Sequence, residues 1–414
     1  MAIKQRVLVI GGGAAGLVAG ISAARNGAEV IILEALNRVG KKILATGNGR
    51  CNLTNIHMDI NRFHGRSPKF ALAALKQFDV EQTMSFFDFL GIKCKVEEGG
   101  KVYPTSDQAS SVLDVLRYEL QQLNVREECE KEVVRIKKAN KYFEVIAKDG
   151  SKIKGDKVIV ATGGMASPQL GSNGGGYNLL VDLGHKLIDP IPALVQVTLD
   201  ADFLKKIKGV KFNGEASLIN ENQPIGVEGG EILFTDYGIS GPPILQLSRG
   251  VSQLIKENKT PIIKVDLFPE IIIEDLIEQI QLRLAYHPKK PLDTSFIGLI
   301  NKKLIPVVLK EAGINRLQKP CSQVNSTEIN AIASVLKNWS FRATGTQPWR
   351  HAQVTAGGIN VDDVNSKSLE SKLVKGLYIV GELLDIDGDC GGYNLQWAWS
   401  SGFIAGEAAA LNFD

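Results

Sequence analysis

The chain has 414 residues, enough for two or three domains, and its 44% hydrophobic and 22% charged residues are ordinary for a globular protein. A net charge of +3 is too mild to argue for nucleic acid or an anionic membrane surface as a partner, and no apolar run approaches the ~20 residues of a membrane span. Five scattered cysteines without a CxxC pattern argue against a zinc ribbon or a redox cysteine pair. With no signal-peptide pattern ahead of residue 6, a cytoplasmic location is expected.

Arg6-Val-Leu-Val-Ile10 reads as an apolar strand, and Gly11-Gly-Gly13-Ala-Ala-Gly16 follows it directly. An alanine-rich helix comes next, then a strand over 29–34 that ends on Glu34. This order of strand, GxGxxG, helix, strand and acid is that of a dinucleotide site. Gly11 allows the tight turn, Gly13 lets the backbone approach a pyrophosphate, and Gly16 lets the helix pack on the strand. Glu34 can accept hydrogen bonds from a ribose. A polar loop over 37–61 follows, with Lys42 and the run Thr46-Gly-Asn-Gly-Arg-Cys-Asn-Leu-Thr-Asn55. Lys42 and Arg50 are candidates to neutralise the pyrophosphate, Arg50 bidentately.

Helical patterns cover 68–78, 80–90 and 108–123, and a three-stranded meander covers 131–154, with Asp149-Gly150 as a turn. Lys157-Val-Ile-Val-Ala161 is an apolar strand closed by Thr162-Gly163-Gly164. At Asp189-Pro-Ile-Pro192 the character changes. Short strands over 195–199, 214–219, 230–234 and 261–267 predict a β module, and helices over 271–284, 301–312 and 327–339 a helical one, capped at Ser326 or Thr327. The strand over 375–380, then Gly381-Glu382, Asp385, Gly391-Gly-Tyr-Asn-Leu-Gln396 and a helix over 396–411, return to the first pattern. Glu382 or Asp385 could bind ribityl hydroxyls. The N–H groups at 393–395 could stabilise negative charge on a reduced flavin, with Asn394 as the side chain nearest the pyrimidine end. Pieces more than 360 residues apart on one ligand require a long ligand, and FAD fits. No second acid-ended dinucleotide motif occurs, so NAD(P)H would dock only transiently as an electron donor.

These motifs, with Gly184-His185, Gly230-Glu-Ile-Leu-Phe-Thr235, Gly238-Ile-Ser-Gly-Pro242 and Thr355-Ala-Gly-Gly358, resemble the BaiN/YhiN-type FAD-binding oxidoreductases, also called the aminoacetone oxidase family. The resemblance spans nearly the whole chain. It implies an α/β fold in which a Rossmann-like FAD-binding domain (1–192 and 346–414) is interrupted by a β-barrel-like module (193–268) and a small helical module (269–345). It implies non-covalent FAD and a small-molecule substrate, by enone or dienone reduction or amine oxidation. The expected cofactor contacts are Gly11, Gly13, Ala14, Ala15, Gly16, Glu34, Ala35, Lys42, Thr46, Gly47, Arg50, Cys51, Asn52, Val133, Ala161, Thr162, Gly163, Gly164, Gly381, Glu382, Asp385, Gly392, Tyr393, Asn394 and Leu395. No catalytic acid or base and no metal site is legible, and no oligomeric state follows.

Other residues have two readings. Cys51 beside Arg50 is a flavin-proximal thiolate or a small packed residue. His185 is a proton relay or a cap on helix-end carbonyls, and His351 could approach a substrate. Glu231, Thr235 and Tyr237 line a cavity or fill the β module. The helical module is a folded spacer or a docking surface for a macromolecule such as tRNA. Lys302, Lys303, Lys310, Arg316 and Lys319 are interspersed with acids and do not make a basic stripe.

Overall fold

The computed structural model describes residues 4–411, in two units: 4–192 with 352–411, and 193–351. The first unit is built on five parallel strands in the order Leu377–Ile379, Lys157–Val160, Arg6–Ile10, Glu29–Leu33, Arg126–Glu128. Such a sheet is buried on both faces, so its strands are continuously apolar. Val7, Leu8 and Val9 are fully buried. The chain steps from the first strand to Glu29–Leu33 on one side and later returns to Lys157–Val160 on the other. The strand order therefore reverses at Arg6–Ile10, which opens a crevice at its carboxyl end.

The helix Ala14–Arg25 lies against the C-terminal helix Tyr393–Leu411, which starts three residues earlier than the sequence predicts. Glycine makes this close approach possible. A Cβ on Gly402 would fall 2.3 Å from the Ala15 carbonyl oxygen, and one on Gly406 would fall 2.3 Å from that of Ala19. The meander is present as Val133–Lys138, Phe143–Ala147 and Lys152–Gly155.

His185 does not cap carbonyls. Its Nε2 lies 2.9 Å from the Ser371 hydroxyl, which already accepts N–H bonds from Leu373 and Val374. The hydroxyl proton therefore goes to Nε2, which requires a neutral ring. Burial holds the imidazole below its ordinary value, with Asp363 opposing. A depressed histidine is protonated more readily in the unfolded chain. The unfavourable contribution is absent above the ordinary value of about 6.5 and grows as the pH falls below it. The urea midpoint should drop between pH 7 and pH 5 by more in the wild type than in His185→Gln.

The second unit is a closed barrel of six strands in the order Val197–Leu199, Gly238–Ser240, Gln223–Phe234, Lys211–Asn220, Ile262–Asp266, Trp339–Thr346. The last strand corrects the expected division at 269. Trp339, Phe341 and Ala343 point inward, alternating with exposed Ser340 and Arg342, and pair with Ile262–Asp266. The helices over 273–338 are thus an excursion between two neighbouring barrel strands. Asn325, not Ser326 or Thr327, caps the helix Ser326–Asn338, in a capping box with Glu328. Phe203, Phe234, Trp339 and Phe341 make the aromatic core. Thr235 is half-buried, while Glu231 pairs with Lys211 on the surface.

Candidate cofactor site

The glycine loop sits at the strand-order reversal. Gly11 has φ +102°, and a Cβ on it would lie 2.5 Å from the Ala161 carbonyl oxygen. A Cβ on Gly16 would lie 1.9 Å from the Gly11 carbonyl oxygen. Gly13 differs: it is the N-cap of Ala14–Arg25, and a Cβ there would meet nothing within 4 Å. The first helical bond runs from Leu17 N–H to the Gly13 carbonyl, so the N–H groups of Ala14, Ala15 and Gly16 are the orphan donors of the first turn.

Glu34 is buried, and its two oxygens accept from the N–H groups of Gly12 and Leu36, each at 2.8 Å. Each oxygen keeps acceptor capacity for a ribose hydroxyl. Ala35 is exposed beside it. The N–H groups of Glu130 and Lys131 bond the carbonyls of Leu36 and Glu34, which brings Val133, the first residue of its strand, toward the same edge.

The loop from Thr46 to Asn55 is tightly wound. Thr46 donates to the Ile43 carbonyl at 2.6 Å, and Gly47, Asn48 and Cys51 all have positive φ. Cys51 is fully buried, and burial pushes its thiol up to about 12. That removes the thiolate reading. Arg50 is engaged within the chain. Its guanidinium bonds Asp107 and Glu97 and lies over the Tyr103 ring at 4.0 Å from the centroid. Arg50 and Lys95 hold the Glu97 carboxyl below the usual carboxylate range, and Lys95 and Arg50 do the same to Asp107. The fork expected on a pyrophosphate is occupied by carboxylates. Lys42 is likewise paired, its Nζ 2.8 Å from Glu382 Oε2 across 340 residues.

The end of Lys157–Val160 meets the end of Leu377–Ile379. Ala161 donates to the Ile10 carbonyl, which puts Thr162, Gly163 and Gly164 beside the glycine loop. A Cβ on Gly164 would fall 2.3 Å from Thr355 Oγ1 and 3.0 Å from the Tyr177 hydroxyl. Thr355 accepts from the N–H groups of Met165 and Ala166 and donates its own N–H to Glu382 Oε1 at 2.7 Å. Tyr177, which sequence reasoning did not single out, is buried and its hydroxyl has no partner among the described residues. Burial, then the charges of Glu382 and Asp385, hold its phenol well above the usual range. Gly381 has φ +68°, and a Cβ on it would lie 3.1 Å from that of Ala15. Asp385, buried, accepts from Arg66 N–H at 2.9 Å.

The fourth piece is the start of the C-terminal helix. Its first bond runs from Gln396 N–H to the Gly392 carbonyl, so the N–H groups of Tyr393, Asn394 and Leu395 precede the helical ladder. Asn394 is also engaged within the chain: its Oδ1 accepts from Gly388 N–H at 2.8 Å, and its Nδ2 donates to the carbonyls of Gly388 and Asp389. This amide clips its own loop and is spent. Sequence reasoning also missed the neighbouring pair His64 and Asp389, 2.6 Å apart and 325 residues distant in the chain. The open face of Gly13, the free N–H groups of the two helix starts and the unpartnered groups of Asn52 and Tyr177 fit an elongated dinucleotide carrying an electron-poor ring.

A glycine loop at the switch point of a parallel sheet, with a second helix start facing the same edge, defines a flavin-dependent oxidoreductase of the α/β class. Residues 5–408 match the family described as "HI0933-like protein Rossmann domain", and the chain belongs to that family, the BaiN/YhiN type. It is 42% identical to the 3-dehydro-bile acid delta(4,6)-reductase of Clostridium scindens, over 98% of this chain and 99% of the relative. The ribosomal RNA dihydrouridine synthases of Escherichia coli and Haemophilus influenzae are 28% and 29% identical, over 97% and 96% of this chain and 96% of each relative. Among the described residues no helix is long and apolar enough to cross a membrane, and no group of three or more His, Cys, Asp or Glu could hold a metal ion.

Proposed function

We propose that the protein is an FAD-dependent reductase of carbon–carbon double bonds conjugated to a carbonyl, acting on a small organic substrate. The observation that carries this is the end-to-end 42% identity to a reductase whose name describes a conjugated dienone. The more distant relatives are named for making dihydrouridine, which saturates a ring double bond that is also conjugated to a carbonyl. Both reactions add a hydride to an electron-poor carbon of the conjugated system, β to the carbonyl in an enone and β or δ in a dienone, and a proton to the other carbon of the saturated bond. Bound FAD supplies the hydride from its N5.

The chain's own residues bind and orient. The N–H groups of Ala14 to Gly16 hold the pyrophosphate, and Glu34 holds the adenosine ribose. The start of the helix Tyr393–Leu411 holds negative charge at the pyrimidine end. NAD(P)H is the proposed transient electron donor. The FAD is non-covalent, and acid precipitation should release all of it into the supernatant.

The test is anaerobic. Protein reduced with NADH or NADPH is mixed with a 3-keto-4,6-diene steroid, and flavin reoxidation is followed with loss of the dienone absorbance. A colourless protein that FAD does not reconstitute overturns the reading, as does a reduced flavin that oxygen reoxidises but the dienone does not. Reduction by aminoacetone instead would make the protein an amine oxidase. The dihydrouridine synthase relatives favour one second reading, RNA as the substrate. Against it, Lys319 is buried and paired with Glu328, and the remaining cations of this stretch are interspersed with acids and apolar residues in the chain. Reoxidation by unmodified ribosomal RNA, and not by the dienone, would select it.

A further inference from the structure

The seam between residues 52–55 and the C-terminal helix is pinned at several points. Thr54 donates to Gln396 Oε1 at 2.6 Å, and Trp399 Nε1 donates to the Leu53 carbonyl at 2.9 Å. Asn55 Nδ2 donates to the Gly391 carbonyl at 2.9 Å and to that of Gly99, while its Oδ1 accepts from His57 N–H. Gly392 lies so close that a Cβ on it would fall 2.4 Å from the Thr54 carbonyl oxygen and 3.0 Å from Asn52 Oδ1. The position of Asn52 relative to the helix start is therefore fixed before any ligand binds.

Three polar side chains stand in the run from Asn52 to Asn55, and the chain uses two of them. Asn52 is different. It is 9% exposed, and its Oδ1 has no partner among the described residues. The two amides in the first turn of the helix are consumed, Asn394 by Gly388 and Asp389 and Gln396 by Thr54, Thr83 and Ser400. A buried, unpartnered carbonyl oxygen costs stability unless a ligand satisfies it.

The chemistry of the ligand matches this arrangement. The pyrimidine edge of a flavin offers an acceptor, O2, next to a donor, N3–H. The helix start offers donors at Tyr393 to Leu395, and Asn52 offers an acceptor beside them. We infer that Asn52 accepts the flavin N3–H, and that this acceptor, set beside the helix donors, selects the flavin ring and fixes its orientation. The inference rests on the flavin reading above and deepens it.

The experiment compares FAD with N3-methyl-FAD, which lacks the N3–H, binding each to the FAD-free protein and reading the quenching of flavin fluorescence. The wild type should bind the methylated flavin about tenfold or more weakly, the worth of one hydrogen bond plus the acceptor left unpaired. Asn52→Ala removes the acceptor and makes room for the methyl group, and should bind the two flavins within about threefold of each other. Asn52→Asp keeps an acceptor and should keep the discrimination. It should also lower the flavin midpoint potential, because its charge opposes that of the reduced ring. Thermal melting of each variant separates misfolding from lost contact. Equal binding of both flavins by the wild type, or undiminished discrimination in Asn52→Ala, overturns the assignment. A wild type that binds neither flavin overturns the flavin reading itself, which is a different result.

Discussion

Gly13→Val should fold as the wild type does and fail to hold FAD, whereas Gly16→Val should fail to fold. The two glycines stand in one motif, but the structure gives them opposite surroundings. A Cβ on Gly13 would meet no protein atom within 4 Å, so the valine would occupy only the space above the helix start. That space is where a pyrophosphate must come to reach the N–H groups of Ala14, Ala15 and Gly16. Two charge-assisted hydrogen bonds lost there weaken binding by on the order of 100-fold or more. A Cβ on Gly16 would lie 1.9 Å from the Gly11 carbonyl oxygen and 3.3 Å from the Ala161 side chain. Neither neighbour can yield, because the Gly11 N–H is bonded to the Leu33 carbonyl and the Ala161 N–H to that of Ile10. Overpacking against backbone costs about 3 kcal/mol or more. Circular dichroism of the FAD-free proteins and fluorescence titration with FAD separate the two effects. A Gly13→Val protein purified yellow would show that the cofactor does not approach this helix start.

The difference between these glycines was legible in the sequence because the motif is local. Strand, turn, helix and acid are consecutive, and each is set by its own period and punctuation. What the sequence could not show lies in contacts between distant segments. The sixth barrel strand, Trp339–Thr346, was absorbed into the helical stretch because its pairing partner is Ile262–Asp266, on the far side of four helices. Its alternation of inward Trp339, Phe341 and Ala343 with outward Ser340 and Arg342 was the available signal. In the site, Lys42 and Arg50 looked equally suited to a phosphate. Lys42 instead meets Glu382, and Arg50 meets Glu97 and Asp107. The sequence points to Asn394 for the ring and offers Asn52 only as one of many cofactor contacts. Only the geometry of Gly388 decides which amide is used up. Residue type names the chemistry a side chain can do, and its neighbours in space determine whether that capacity is still available.

Gln396→Leu should produce a large loss of stability without changing the size of the side chain. Gln396 is fully buried. Its Nε2 lies 2.7 Å from Thr83 Oγ1, 2.9 Å from Ser400 Oγ and 3.1 Å from the Phe78 carbonyl oxygen, and its Oε1 accepts from the Thr54 hydroxyl. One amide thus joins the cofactor loop, the end of the helix Leu72–Gln77, the helix Val80–Phe89 and the C-terminal helix. Leucine has nearly the same volume, so the change leaves no large cavity, and its cost is that of stranded polar groups. Thr54 loses its acceptor and Thr83 its donor, at about 1–3 kcal/mol each, for a total of roughly 2–6 kcal/mol. The Phe78 carbonyl is spared because the Ser400 hydroxyl also donates to it, at 2.6 Å. The second consequence is functional. The Thr54–Gln396 bond is one of the pins that fix residues 52–55 against the helix start, so FAD affinity should fall together with stability. Urea denaturation of the FAD-free and FAD-loaded protein measures both effects, since a weaker cofactor shifts the loaded midpoint less. A Gln396→Leu protein within about 0.5 kcal/mol of wild type would mean that both threonine hydroxyls find new partners. The seam would then be held chiefly by the Trp399 and Asn55 contacts, and FAD affinity should be unchanged as well.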